Sequence, residues 1–279
     1  MKKFNYFVCG FSILTCSVYA QEVDNKALNI SGSLVLVSDY VARGLTNNPE
    51  NSEATLQAFL TFSKSNLYFK YIGSKIDYSF SELQRADQIN KNDALSDSQK
   101  SELKDRIKSS SANHYEHDLI VGYKTKLDKW NVDFNVATYL YPGGENTTGV
   151  EAGFFANRIL NTDTRNSINL SAQTFLNDTV YMNQFDTYFT LGYVHPLSKD
   201  FNLGLSSAFS YFGNDGKYER GLFLNTTKDF VFRFAAVELS RKISMDHNAF
   251  ASFKYIFGGE NRSGEKQKNM PVFSLSYVF

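Results

Sequence analysis

Hydrophobic and polar residues alternate with a period of two along most of the chain. In the segment 130–141, apolar residues such as Trp130 and Val132 alternate with Asn131 and Asp133. This periodicity predicts a β-strand with one apolar and one polar face. We predict twelve such strands, at 28–43, 53–63, 67–78, 114–125, 130–141, 148–160, 165–176, 184–195, 201–212, 231–243, 248–258 and 269–279.

The connections between the predicted strands are alternately short and long. The short ones are 64–66, 127–129, 161–164, 197–200 and 244–247. The long ones are 44–52, 79–113, 142–147, 177–183, 213–230 and 259–268. An even number of strands of ~10 residues, with short turns on one side and long loops on the other, is typical of transmembrane β-barrels.

A soluble β-sandwich is the alternative, but it rarely sorts its loop lengths in this way. We therefore predict an all-β fold, a transmembrane antiparallel β-barrel of twelve strands with short periplasmic turns and longer extracellular loops. Closure pairs every backbone donor and acceptor inside lipid. A hairpin within 218–243 would give thirteen strands and break the loop pattern, so we predict a single strand at 231–243.

The N-terminus has the pattern of a secretory signal peptide. Lys2 and Lys3 precede an apolar run, and small residues lead up to Ala20. A cleaved signal peptide has this tripartite form, whereas a membrane anchor helix, the alternative, needs a longer apolar span. We predict a signal peptide at 1–20 and a mature barrel at 21–279.

Composition excludes several other classes of protein. The only cysteines, Cys9 and Cys16, lie inside the predicted signal peptide, so the mature chain has no disulfide and no cysteine metal site. The 29 basic and 29 acidic residues balance, which gives no sign of a nucleic-acid partner. The 25 Phe and 17 Tyr residues argue against disorder and suit the aromatic girdles of a barrel.

The last predicted strand ends in an aromatic residue at the chain terminus. Phe273, Leu275, Tyr277 and Phe279 share one face. This ending resembles the assembly signal of bacterial outer-membrane proteins, which predicts recognition by the barrel assembly machinery. We expect this strand to close the barrel by pairing with 28–43.

The 79–113 loop differs from the other loops in length and charge, with six acidic and six basic residues. The segments Ser81–Gln84 and Ser96–Gln99 have the sequence of helix capping boxes, so we predict one or two short helices here. The plain interpretation is a solvated surface loop. The functional alternatives are a partial lid or a surface that binds a partner.

Three segments resemble landmarks of the TorF-type putative porins of proteobacteria. They are Leu36–Gly44 after the first strand, Gly122–Lys124 in the fourth, and Tyr139–Gly144 at the end of the fifth. The resemblance implies an outer-membrane barrel with a porin-like role. The chain departs from the family in its long 79–113 loop and in having no Trp within 218–222.

The residues that could support catalysis or metal binding do not form a motif. His114 and His117 precede the fourth strand, but no third ligand follows at motif spacing. A lipid hydrolase at the barrel rim would use His and Ser, and no family signature surrounds either residue type. We therefore expect no catalytic residue, metal or cofactor.

The polar faces of the strands would line the barrel interior. A narrow passive channel for small hydrophilic solutes is the function that this pattern favours, and the alternatives are a structural or adhesive surface protein and a rim-active lipid hydrolase. The expected partners are outer-membrane lipid and lipopolysaccharide. The candidate pore-lining residues are Asp39, Arg43, Lys70, Asp118, Glu151 and Lys254.

Overall fold

The computed structural model describes residues 27–107, 110–243 and 248–279. The predicted signal peptide and the predicted turn at 244–247 lie outside the described residues. Among the residues described, no helix is both long and apolar enough to cross a membrane.

Twelve antiparallel strands close into a barrel, in which each strand pairs with its chain neighbours and the first pairs with the last. Closure leaves no open sheet edge, so the backbone groups of every strand find partners within the sheet. The prediction of a twelve-stranded transmembrane barrel is confirmed. The strands are β1 (Asn29–Val37), β2 (Thr55–Lys64), β3 (Leu67–Lys75), β4 (Tyr115–Leu127), β5 (Trp130–Leu140), β6 (Gly149–Ile159), β7 (Ser167–Phe175), β8 (Thr187–Pro196), β9 (Phe201–Tyr211), β10 (Phe230–Lys242), β11 (Ala249–Gly258) and β12 (Met270–Val278).

The two faces of the strands differ in polarity as the alternation predicts. On β12 the outward side chains are apolar and exposed, for example Phe273 at 57% and Leu275 at 50%. On β4 the outward face includes the exposed aromatic residues Tyr115, at its first position, and Tyr123, four residues before its end, and exposed aromatic residues of this kind are typical of the girdles of membrane barrels. The outer face is therefore suited to lipid, and the inner face carries the polar side chains.

The seam between β1 and β12 closes the barrel. Ser33 lies opposite Val278, and the backbones of Gly32 and Phe279 exchange two hydrogen bonds of 2.9 and 3.0 Å. A Cβ on Gly32 would lie 2.5 Å from the Phe279 ring, so the absence of a side chain lets the ring pack across the seam. The predicted pairing of the last strand with the first is confirmed.

The first strand is shorter than predicted. β1 ends at Val37, and Ser38 N still donates to Phe273 O at 2.9 Å, but the 39–43 segment leaves the sheet although its alternation continues. Tyr40 forms an isolated bridge with Asn51, so the chain turns back on itself instead of continuing along the barrel wall. The pattern extends beyond the strand because these residues pair within their own loop.

The 76–114 loop contains α1 (Phe80–Asn90), α2 (Asp97–Asp105) and a short 3-10 helix. The predicted capping box at Ser96–Gln99 is confirmed. The one at Ser81–Gln84 is wrong, because α1 begins after Ser79, whose hydroxyl contacts that of Ser81 at 2.8 Å instead of capping the helix.

Candidate functional site

A tight turn after β1 directs Arg43 into the barrel. Leu45 N donates to Ala42 O at 2.9 Å, and the two central residues have positive φ, 47° at Arg43 and 78° at Gly44. Positive φ at both central positions defines a type I′ turn. A Cβ on Gly44 would lie 2.6 Å from the Phe234 ring, so glycine is required both for the turn and for the close packing.

Arg43 crosses the barrel interior. Its carbonyl accepts a hydrogen bond of 3.2 Å from Nε of Arg233 on β10, while its Nη2 donates at 2.6 Å to Glu151 on β6. The guanidinium also lies 5.1 Å from the centre of the Phe175 ring and 5.4 Å from that of Tyr188. Because β6 and β10 are four strands apart in a barrel of twelve, one residue bridges two well-separated parts of the wall.

Arg233 reaches the interior because of a β-bulge. The register between β9 and β10 shifts between Phe232 and Phe234, which inserts Arg233 as an extra residue. Bulges re-aim a side chain in this way. Arg233 is buried, and its Nη1 donates to Glu260 O at 2.9 Å.

A second buried ion pair lies among the extracellular loops. Nη2 of Arg262 donates to Asp186 at 2.5 Å. The Phe212 ring packs against two guanidinium groups, 4.5 Å from Arg262 and 5.5 Å from Arg233. Burial raises the pKa of Asp186, and the nearby Arg262 charge opposes that shift. Asp186 therefore supplies the counter-charge of Arg262.

The wall opposite Arg233 is acidic. Glu116 and Asp118 point inward from β4, and Glu116 accepts hydrogen bonds from Tyr40 at 3.2 Å and Tyr141 at 2.9 Å. Burial, together with the charge of Glu116, raises the pKa of Glu50, in the 38–54 loop, to about 8. Carboxyl groups therefore collect on one side of the interior, beside the Arg43–Glu151 ion pair.

An aromatic lid covers the lumen on the extracellular side. Phe80, the first residue of α1, is 4% exposed. Its ring centre lies 5.3 Å from that of Tyr78, 4.9 Å from Tyr141, 5.5 Å from Tyr181 and 5.2 Å from Phe223. These five residues, which we call the aromatic lid, come from four different loops. Their contacts hold the loops together above the constriction formed by Arg43.

The 38–54 loop is anchored to the 259–269 loop by hydrogen bonds. Thr46 N and Asn47 N donate to Gln267 Oε1 at 3.0 and 3.1 Å, and the Thr46 hydroxyl donates to Lys268 O at 2.6 Å. Thr46 is fully buried. These bonds fix the segment that carries Arg43 across the lumen.

The periplasmic half of the lumen contains separate charged groups. Tyr68 donates to Asp133 at 2.8 Å, and Lys70 and Lys124 lie 5.8 and 4.9 Å from the Tyr68 ring centre. Tyr68 is inward and buried. This half combines basic side chains with an aromatic ring and a carboxylate.

The six candidate pore-lining residues lie at different heights along the barrel axis. Arg43 and Glu151 form an ion pair, and Asp118 lies on the inner wall two strands from Glu151. Lys70 is in the first half of β3, and Lys254 is in the middle of β11, 3.1 Å from Glu238.

The remaining candidate, Asp39, lies in the 38–54 loop, half-buried, two residues beyond β1. Sequence reasoning did not single out Glu50 or Arg233 as site residues. Glu50 stands in a loop without periodicity. The Arg233–Phe234 pair interrupts the alternation of β10, and that interruption was the available signal for an inward arginine.

The two histidines near the rim do not converge. His117 lies on the outward face of β4, with Nδ1 2.8 Å from the Tyr71 hydroxyl, whereas His114 Nε2 is 3.4 Å from Glu82. Within the ranges that the structure describes, no group of three or more His, Cys, Asp or Glu side chains could hold a metal ion.

Comparison with known proteins identifies relatives by fold alone. No protein-family model matches the chain, and no curated protein matches it either. The KdgM porin superposes with a TM-score of 0.50 at 8% identity, over 89% of this chain and 98% of its own. The NanC porin has a TM-score of 0.47 at 10% identity, covering 90% of this chain and 98% of its own. An outer membrane channel from Pseudomonas putida F1 has a TM-score of 0.47 at 9% identity, covering 93% and 98%. The likeness to the KdgM porin shows that this chain has the fold of a transmembrane β-barrel.

Proposed function

We propose that this protein is an outer-membrane channel that gives small hydrophilic solutes a narrow passive path. The observation that carries the proposal is a closed twelve-stranded barrel with an apolar outer face and a charged, polar interior. A polar interior enclosed by lipid-facing strands is the arrangement of porins. The fold shared with the KdgM porin supports the same function.

The path is narrow because Arg43 crosses it. Solute passage requires the 38–54 loop and the aromatic lid to shift, so we expect small conductance with frequent closure. The segment Leu36–Gly44, which resembles the TorF-type porins, contains the turn that directs Arg43 inward. Membership of that family is part of the proposal.

The proposal includes export and assembly. The chain loses residues 1–20, reaches the outer membrane and is inserted by the barrel assembly machinery among lipid and lipopolysaccharide. It acts as a channel and not as an enzyme, a view supported by the separate partners of His114 and His117.

Conductance of the purified, refolded barrel tests this function. Inserted into a planar lipid bilayer, the protein should give discrete single-channel current steps. Folding is verified beforehand by the shift in electrophoretic mobility that heating causes in closed barrels. Correctly folded protein that inserts without any current steps would contradict the proposal.

A further inference from the structure

Four carboxyl groups and one guanidinium face each other at the constriction. Glu50, Glu116, Asp118 and Glu151 all interact electrostatically with one another or with Arg43. Arg43 forms its ion pair with Glu151. The other three carboxyl groups have no ion pair with it, so carboxyl groups outnumber guanidinium groups at this level of the lumen.

The neighbouring arginines do not compensate for this excess of carboxyl groups. Arg262 is paired with Asp186 at 2.5 Å, so its charge is matched. Arg233 donates to two backbone carbonyls, those of Arg43 and Glu260, and lies on the β10 side of the lumen. At the level of Arg43 the wall formed by β2 to β4 is therefore left acidic, whereas Lys70 and Lys124 lie in its periplasmic half.

This wall also contains buried oxygen atoms without hydrogen-bond partners. Asp118 is 3% exposed and Gln57 is fully buried, yet Oδ1 of Asp118 and Oε1 of Gln57 accept no hydrogen bond, and neither does Oε2 of Glu50. The strand register places Gln57 opposite Ser74, and Ser74 opposite Glu116. The acceptors of Gln57 and Asp118 therefore belong to one patch of the inner wall.

A patch of unpartnered oxygen acceptors has a specific chemical consequence. Buried carboxylate and amide oxygens are costly unless they meet a donor or a cation. Rings of acidic side chains favour cations in channels because their negative charge attracts them, and carbonyl oxygens can replace part of the ion's hydration shell. The patch lies where Arg43 narrows the path, so a permeating ion passes close to it.

We propose that the constriction selects small cations, and that Asp118 is the residue that determines this preference, with Gln57 and Glu50 supplying further oxygen ligands. The inference rests on the proposed channel function and specifies its solute class. Potassium is the simplest member of that class.

The test is the reversal potential in a planar bilayer that separates two concentrations of potassium chloride. The wild-type channel should pass K⁺ more readily than Cl⁻. In Asp118→Asn the preference should be lost or reduced towards equal permeability. Glu102→Gln, which changes an exposed carboxylate on α2, is the matched control and should keep the wild-type ratio.

A second variant should change the ratio of K⁺ to Cl⁻ permeability in the opposite direction. Arg43→Ala removes the positive charge from the constriction and should raise the preference for K⁺, which keeps the proposal testable if Asp118→Asn does not fold. An anion-preferring wild type, an unaltered ratio in folded Asp118→Asn, or a reduced ratio in Arg43→Ala would overturn the inference and leave the channel function intact. Absence of current steps in all folded variants would overturn both.

Discussion

At the scale of single residues, Arg43 joins parts of the molecule that are far apart in the sequence. Its ion pair with Glu151 connects residues 108 positions apart, and its carbonyl bonds to a residue 190 positions away. Glu151 is 1% exposed, and it also accepts from the hydroxyl of Tyr139. A buried carboxylate is tolerated when hydrogen bonds satisfy it, and Arg43 and Tyr139 donate to the two oxygens of Glu151.

Replacing Arg43 by alanine should widen the lumen. The variant removes the side chain that crosses the interior, so single-channel conductance should rise above that of wild type. Leaving Glu151 buried without its partner should also lower the free energy of unfolding by about 3 kcal/mol. Conductance in bilayers and the midpoint of denaturant unfolding in detergent measure the two effects. Unchanged conductance would show that Arg43 does not limit the path.

Glu50 should make the channel sensitive to pH. Burial and the charge of Glu116 raise its pKa from the ordinary 4.5 to about 8. Between pH 4.5 and about 8, Glu50 therefore stays protonated when the 38–54 loop is docked but ionises when that loop is solvated. Docking of the loop therefore weakens as the pH rises through this interval.

We expect channel opening to become more frequent as the pH is raised through about 8, because the ionised carboxylate repels Glu116. Single-channel recordings at pH values on both sides of that point measure the opening probability. Glu50→Gln should give a flatter profile over the same interval. Equal slopes in the two proteins would exclude Glu50 as the titrating group.

At the scale of elements, the two helices of the 76–114 loop have different environments. α1 is anchored above the lumen through Phe80 and through Gln84, whose side chain makes hydrogen bonds of 2.8 and 3.0 Å with the backbone of Glu145. α2 has no buried residue. α1 therefore fits the prediction of a partial lid, and α2 fits the prediction of a solvated surface loop.

Phe80→Ala should loosen the aromatic lid. Loss of a buried phenyl ring costs ~3 kcal/mol or more in a packed cluster, and that loss should increase both conductance and protease cleavage within the 76–114 loop. Leu103→Ala, an exposed position on α2, is the control and should leave both unchanged. Wild-type conductance and protease resistance in Phe80→Ala would contradict a closing role for the lid.

At the scale of the whole molecule, the barrel depends on a single closing seam. The β1–β12 register joins Ser33 to Val278 and Val37 to Ser274, and Gly32 and Phe279 complete it. An open edge in lipid leaves backbone groups unpaired, each at a cost of several kcal/mol. We therefore expect assembly to be sensitive to changes at Phe279, which pairs with Gly32 across this seam.

Deleting Phe279 should lower the amount of protein in the outer membrane and increase its degradation in the periplasm. Gly32→Val should act in the same direction, because its side chain would collide with the Phe279 ring. Gly213→Ala is the matched control, since a Cβ there would come no closer than 3.4 Å to another atom. Membrane fractionation and heat-dependent gel mobility measure assembly. Normal insertion without Phe279 would rule out its role in closure.

The sequence by itself determined the twelve strands, their alternating faces, the closing pair and the capping box at Ser96–Gln99. These features depend on local rules: the pleat gives period two, short turns join neighbouring strands, and a capping box spans one helical turn. β3 has apolar residues on both faces, so its alternation does not show which face is the inner one, and only burial assigns Tyr68 and Ile72 to that face.

Tertiary structure alone decided how the loops fill the lumen. The path of Arg43, the bulge at Arg233 and the approach of Glu50 to Glu116 depend on contacts between segments far apart in the chain. Alternation along β1 continued to Arg43 and could not reveal that the chain leaves the wall after Val37. A residue's charge and spacing are local properties, whereas its partner across a barrel is set by strand register, bulges and loop packing, which no local pattern encodes.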